Sequence, residues 1–422
     1  MDEQRLERAL RQGPPFATRY VAAPPALDDG LFARQAVSAR RLVLIVAVTA
    51  LLLVGLLLGL AALGAFRTDH PGATIGWVAF AQHSPLGSQD ARNTPMDLLL
   101  VRGGSDPHRI AGSDSELIRA HCPTFSPDGT RLAYAESMGG DLSNNLYSWA
   151  RLAVVIITLD AAGTRVGTPV RIPVSPDGGE NGGDACPEWS PDGQDVAFLA
   201  GDPADLAIAR ADGSVMVTPV GNAKALELRE FAWSPRGDVI AAAGPSDIWL
   251  VPIDGGPARQ FATGRYSFAR GLAWSPDASR IAYGIANGQD SSVRVLDLDG
   301  TTLDLGGGFL PAWSPEGDRI AYERVVSLAT SASEIVVANP DGSDPHVIVP
   351  GSLGPEAARP GTISGITWSP DGSRLLYVGA VDASGETPLI SVSATGDPAP
   401  LVLVTGFPII SDTGLSWQSL DP

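Results

Sequence analysis

The sequence has few of the residues that carry most hydrolytic and metal chemistry. Its 422 residues include only five histidines and two cysteines, and charged residues make up 18% of the total. Neither an H-E-x-x-H motif nor a G-x-S-x-G elbow occurs, so the common signatures of zinc and serine hydrolases are absent. The net charge of −18 repels phosphate backbones and excludes nucleic-acid binding as a function class. Because no catalytic motif is found, we expect no cofactor and no enzyme activity.

Glycine and proline, in contrast, are abundant. The chain has 48 glycines and 35 prolines without a collagen period, and 44% of its residues are hydrophobic. This composition predicts a large core built from many short strands that are joined by tight turns.

Residues 42–66 form the one long apolar run and contain no charged side chain. The run exceeds the ~20 residues that a helix needs to span a bilayer. Arg34, Arg40 and Arg41 precede it, and this positive flank predicts that the N-terminus stays in the cytoplasm. The predicted layout is a largely disordered cytoplasmic tail at 1–41, a single-pass transmembrane helix at 42–66, a linker at 67–74 and an extracytoplasmic domain after it.

One motif recurs beyond residue 70. The string FSPDGTRLAY at 125–134 returns as WSPDGQDVAF at 189–198 and as WSPDGSRLLY at 368–377. Pro, Asp and Gly in the motif favour a chain reversal between two strands, and two further strands follow in each copy. Each copy therefore predicts a four-stranded antiparallel propeller blade. Six aromatic residues, each followed by Ser-Pro, begin the copies: Phe125, Trp189, Trp233, Trp274, Trp313 and Trp368.

The two ends of the repeat region complete one another. The segment TIGWVAFAQ at 74–82 resembles a second strand without its first, and GLSWQS at 414–419 resembles a first strand with nothing after it. Pairing of these segments would close the ring and remove its free sheet edges. The sequence thus predicts an all-β, seven-bladed β-propeller over 75–419 with C-terminal strand closure.

The repeated WSPDGxxIAY pattern across 122–377 resembles the propeller repeats of the periplasmic TolB family and the WD-repeat-like propellers beside prolyl oligopeptidase catalytic domains. The resemblance implies a bacterial propeller, and TolB-type propellers bind partner proteins at their mouth. Residues before 75 do not match the N-terminal α/β domain of TolB-type proteins, and the serine elbow of the oligopeptidases is missing. The resemblance therefore implies a stand-alone propeller held to the cytoplasmic membrane. Arg236 and Ala278 depart from the repeat at its turns.

First strands line the central channel, and charged residues lie where these strands start. Such a ring could bind a charged peptide, a sugar acid or a metal, or could be a set of mutually paired charges around water. The candidate binding residues at this channel mouth are His121, Glu188, Arg229, Glu230 and Arg270.

Cys122 and Cys186 occupy equivalent positions in neighbouring copies, HCPTF and ACPEW. Innermost strands converge near the propeller axis, and export permits oxidation, so the two cysteines are a candidate disulfide. A metal site made from His121 and both cysteines is the alternative, but the sequence provides no fourth ligand. We predict the disulfide and no metal.

The longest insertions all fall on one face of the predicted ring, at 137–149, 175–185, 325–334 and 351–364. Variable loops on a rigid scaffold are typical of recognition, so we expect a protein or peptide partner at this face. Two alternatives remain: a lyase or hydrolase that acts on carbohydrate or peptide at the channel mouth, and a transmembrane ligand sensor. Gly55 and Gly59 form a G-x-x-x-G pair that could support a weak homodimer.

Overall fold

The computed structural model divides the chain into two units, Met1–Ala73 and Thr74–Pro422, and all described residues belong to the second. Among them, no helix is long and apolar enough to cross a membrane. The predicted tail, transmembrane helix and linker lie outside the described residues. The structure describes residues 76–83, 95–103, 105–112, 118–139, 149–174, 186–200, 205–214, 216–217, 226–245, 247–263, 268–287, 290–327, 332–350, 366–379, 387–396, 400–405 and 414–419.

The described unit is an all-β propeller in which five four-stranded antiparallel sheets stand as separate blades. The first of these blades contains β8 (Glu188–Trp189), β9 (Asp195–Ala200), β10 (Asp205–Arg210) and β11 (Met216–Val217). The next contains β12 (Glu230–Trp233), β13 (Val239–Ala243), β14 (Asp247–Pro252) and β15 (Arg259–Thr263). The third contains β16 (Phe268–Trp274), β17 (Arg280–Asn287), β18 (Asp290–Asp297) and β19 (Thr302–Gly306). The last two contain β20 (Phe309–Trp313), β21 (Ile320–Ser327), β22 (Ala332–Ala338) and β23 (His346–Val349), then β24 (Thr367–Trp368), β25 (Arg374–Val378), β26 (Leu389–Ser393) and β27 (Leu401–Val404).

The prediction of seven separate blades is wrong. Eight strands belong to a single sheet because the first strand of the Phe125 copy begins early, at Ile118, and its Arg119 pairs in parallel with Met96. Arg119 Nε also approaches Met96 Sδ at 2.9 Å. This sheet contains β1 (Val78–His83), β2 (Met96–Val101), β3 (His108–Ala111), β4 (Ile118–Phe125), β5 (Arg131–Gly139), β6 (Trp149–Leu159), β7 (Arg165–Pro173) and β28 (Leu415–Trp417).

The predicted pairing between the two ends of the domain is confirmed. Strand β28 runs antiparallel to β1, with Trp417 opposite Val78 and Leu415 opposite Phe80. Beyond the strand, Gln418 N donates to Trp77 O at 2.8 Å. The last strand of the chain therefore covers the edge of the first.

The Ser-Pro-Asp-Gly motif forms the expected turn. In the first copy, Gly129 has φ +67° and donates to Ser126 O, while Ser126 Oγ donates to Asp128 Oδ1. The turn in which Ala278 replaces the glycine keeps the same geometry, with φ +56° at Ala278 and a bond from Ala278 N to Ser275 O. The turn thus depends on backbone and serine bonds that survive the loss of glycine.

The repeated tryptophans are buried wedges between successive sheets. Each one described below has 8% or less of its surface exposed, and its indole N–H donates to a backbone carbonyl of the preceding first strand. This bond gives an interior N–H its partner and fixes the ring between two sheets. The pairs are Trp189 with Thr124 O, Trp274 with Ala232 O, Trp313 with Ala273 O and Trp368 with Ala312 O, at 3.0 to 3.1 Å.

Candidate functional site

The antiparallel sheets place their connections on two opposite faces. The Ser-Pro-Asp-Gly turns of successive sheets are neighbours. A Cβ added to Gly193 would lie 3.5 Å from the proline of the preceding turn, and a Cβ added to Gly372 would lie 3.6 Å from the proline of the turn before it. We call this side the turn face. On the opposite side, the loop face, lie the strand ends that flank 140–148, 174–187, 218–229, 350–366 and 379–388.

Several first strands contain a bulge close to their start at the loop face. Cys122, Gly271 and Leu310 have left-handed φ angles of +53°, +70° and +53°, and the pairing register shifts beside each of them. An extra residue at such a bulge re-aims the side chains on either side of it. The sequence signal for the bulge is glycine at three equivalent positions, Gly271, Gly365 and Gly414, but cysteine and leucine obscure it elsewhere.

The structure joins Cys122 and Cys186 by a disulfide. His121 lies beside the bond, buried, with Nδ1 3.3 Å from Cys122 Sγ. The nitrogen and the two sulfur atoms lie within 4.8 Å of one another, and no carboxylate of the described residues belongs to this group. Because zinc binds cysteine as thiolate, the bonded pair does not offer the ligands of the alternative metal site.

Glu188 and Glu230 connect neighbouring sheets through backbone amides. Glu188 Oε2 accepts from Trp233 N at 3.0 Å. Glu230 Oε1 accepts from Gly271 N at 2.7 Å and from Leu272 N at 3.0 Å. Both carboxylates therefore anchor the first strand of the following blade.

Burial raises the pKa of Glu188 to about 8, the bond from Trp233 N acts against this rise, and the charge of Glu230 adds to it. The side chain is only half-buried, so solvent weakens these effects. A carboxyl of this kind exchanges its proton near neutral pH.

The two arginines of the predicted ring take different places. Arg229 is exposed, and its backbone N–H donates to Ala243 O. Arg270 lies in β16 opposite Gly284, and its side chain is outside the described set. The structure thus brings His121 to the disulfide and Glu188 to Glu230, while Arg229 is an exposed residue.

We expect Glu188→Gln to stabilise the protein in alkaline solution. The folded state keeps a proton on Glu188 into the neutral pH range, whereas the unfolded chain releases it near pH 4.5. Folding therefore takes up a proton between these values, and the free energy of unfolding falls as the pH rises through them. Glutamine can still accept from Trp233 N, so the variant should gain about 1–2 kcal/mol at pH 8.5 and little at pH 4. Urea unfolding at both pH values measures this difference.

Glu230→Gln is the matched control because it removes only the neighbouring charge. It should lower the titration midpoint of Glu188, which carboxyl NMR reports directly. An equal effect of Glu188→Gln on stability at both pH values would contradict the assignment.

Sequence reasoning missed a cavity of about 400 Å³ on the turn face, between β20–β23 and β24–β27. Its lining includes Trp368, Arg319 and Asp371. The sequence signal for this cavity is an arginine six residues after the aromatic in several copies.

No protein-family model and no curated protein matches the sequence. Among solved structures, TolB from Acinetobacter baumannii is 15% identical over 85% of this chain and 70% of its own, with a TM-score of 0.47. The periplasmic gluconolactonase of Pseudomonas aeruginosa is 13% identical over 82% and 99%, with a TM-score of 0.53. A puromycin-hydrolyzing peptidase of Mycobacterium tuberculosis is 15% identical over 74% and 50%, with a TM-score of 0.47. These proteins include enzymes as well as TolB, so the likeness bears on the fold alone.

Proposed function

We propose that this chain is a membrane-anchored, extracytoplasmic β-propeller whose loop face binds a protein or peptide partner. The observation that carries the proposal is the asymmetry between the two faces. The turn face is built from short reversals such as 190–194 and 234–238, whereas the loop face receives connections as long as 174–187 and 350–366. Long connections gathered on one side of a rigid sheet scaffold provide a surface for recognition.

The charged side chains at the channel mouth on the same face support the scaffold role. Glu188 and Glu230 accept backbone N–H groups of the next blade, and His121 Nδ1 lies 3.3 Å from Cys122 Sγ. These side chains therefore support a rigid frame for the loops.

The proposed location is supported by the apolar run at 42–66 and by the disulfide. A structural disulfide persists in oxidising compartments, such as the space outside the cytoplasmic membrane. The positive flank before the run keeps the tail inside and the propeller outside.

The proposal predicts that partner binding depends on the loop-face connections. Residues 351–365 would be replaced in the full-length chain by a short Gly-Ser linker, and partners would be captured in cells by crosslinking. We expect at least a tenfold loss of the crosslinked partner, roughly the effect of removing a binding hot spot. The matched control replaces the turn-face residues 161–163 with a linker of equal length and should keep the partner.

Thermal unfolding of both variants establishes that they remain folded. If the same partner were captured equally by both variants, the loop face would not be the binding surface.

A further inference from the structure

The chain repeatedly places its own arginine over the tryptophan of the following sheet. The guanidinium carbon of Arg131 lies 4.7 Å from the ring centroid of Trp189, and that of Arg280 lies 4.8 Å from that of Trp313. Both distances are within the range of a cation–π contact. Each arginine follows the Asp-Gly or Asp-Ala turn of its copy, and each tryptophan begins the next copy.

The equivalent arginine of the next copy, Arg319, makes a different contact. Its Nη1 lies 3.3 Å from Asp344 Oδ2, and His346 Nε2 is 3.0 Å from Asp344 Oδ1. The bonds from His346 and from Arg319 lower the pKa of Asp344, so this aspartate is charged at neutral pH. Arg374, one copy later, instead bonds Ser391.

The cavity on the turn face opens at the tryptophan that follows Arg319, which is Trp368. Val337 and Ile348 contribute apolar surface beside the indole. The carboxylates of Glu316, Asp318 and Asp371 belong to exposed residues that also line the cavity. The cavity thus combines an aromatic wall with three acidic groups. Arg319 and His346 line it as well, and both are paired with Asp344.

Asp371 has the same turn role as its counterparts in other copies. Its Oδ1 accepts from Ser369 Oγ at 2.6 Å, from Ser373 N at 3.0 Å and from Ser373 Oγ at 2.8 Å. Partial burial acts to raise the pKa of Asp371, but these bonds outweigh it and hold the pKa below its ordinary value. All three of these bonds go to Oδ1.

We propose that this cavity binds the guanidinium group of an arginine side chain presented by a basic peptide. The position over the Trp368 ring corresponds to the positions that Arg131 and Arg280 fill at two other sheet interfaces. A planar guanidinium can stack on an indole and donate to carboxylates at its edge at the same time. The acidic rim and the overall charge of −18 favour a cationic ligand. The site lies on the turn face and is independent of the loop-face proposal.

The test is a titration of the full-length chain, labelled with ¹⁵N at its tryptophan indoles, in detergent micelles. The probe is acetyl-arginine amide, and its neutral isostere acetyl-citrulline amide is the control ligand. We expect acetyl-arginine amide to shift the Trp368 indole signal in a saturable manner, while the citrulline compound leaves it in place. Trp368→Phe assigns the signal by removing it.

Asp371→Asn is the diagnostic variant, since asparagine keeps an oxygen for the turn bonds and removes the charge. We expect affinity to fall about two- to fivefold, the usual range for one exposed ion pair. The matched control is Asp192→Asn, which alters an aspartate with the same bonds from Ser190 Oγ and Gln194 N in another copy. It should leave affinity unchanged.

Three results would overturn the proposal. The first is that acetyl-citrulline amide binds as strongly as the arginine compound. The second is that Asp371→Asn and Asp192→Asn weaken the affinity equally. The third is that only indole signals other than that of Trp368 shift. Equal affinity for acetyl-lysine amide would overturn the assignment to guanidinium.

Discussion

Deleting residues 411–422 is expected to abolish cooperative folding of the propeller. The deletion removes β28, which covers the edge of β1 through three residue pairs. Trp417 is only 8% exposed and packs in one cluster with Val78, Phe80 and Val378. Loss of a buried tryptophan side chain alone costs about 3–5 kcal/mol, a large share of the roughly 5–15 kcal/mol that stabilise a typical domain.

The same deletion removes hydrogen bonds that connect β28 to the Phe125 copy. Ser416 Oγ accepts from Phe125 N at 3.0 Å, and Gln418 Nε2 donates to Gly129 O at 2.7 Å. The exposed edge of β1 would also become available for pairing with another chain. We therefore expect both a loss of the thermal transition and aggregation, which calorimetry and size-exclusion chromatography measure.

Deletion of residues 420–422 alone is the matched control, because it leaves β28 and Gln418 in place. This shorter deletion should unfold at the same temperature as the full chain. If removal of 411–422 left a monodisperse protein of unchanged stability, the pairing of β28 with β1 would not hold the ring closed.

The turns and the closing strand could be predicted from the sequence because their causes are local. In the Phe125 copy, Ser126 Oγ accepts from Arg131 N and Asp128 Oδ1 accepts from Thr130 N, only a few residues away, so the motif determines the reversal. The number of blades could not be predicted in the same way. It depends on a pairing between Met96 and Arg119, which are far apart in sequence and carry no repeat signal.

The candidate site was predicted only in part, for a related physical reason. The proximity of Cys122 and Cys186 could be predicted because the two cysteines occupy equivalent positions in neighbouring copies of the repeat. The roles of Glu188 and Glu230 depend on which backbone amides they face, and no pattern within a single copy shows that. The cavity at Trp368 depends on whether Arg319 contacts the indole ring or Asp344. Residues that become neighbours only in the folded protein determine which contact forms.

Removal of the disulfide by the double substitution Cys122→Ala and Cys186→Ala is expected to cost about 4 kcal/mol in the free energy of unfolding, because the bond closes a loop of 64 residues. The bond links the first strand of the Phe125 copy, in the eight-stranded sheet, to the segment entering β8. Without it the unfolded chain gains conformational freedom, while the folded sheets keep their hydrogen bonds. Urea unfolding in oxidising buffer measures the difference, and the midpoint should fall while the slope rises, because the unfolded chain is less compact without the cross-link.

The single variants provide the matched control. One bond requires both sulfur atoms, so Cys122→Ala and Cys186→Ala should each lose nearly as much stability as the double variant. The full chain treated with a reducing dithiol should match all three variants, since two thiols then replace the bond. Additive losses from the single variants, or an unchanged midpoint after reduction, would show that the sulfurs stabilise the propeller by packing rather than by a covalent link. The combination of equal single and double losses distinguishes the covalent link, because packing of two separate side chains would not produce it.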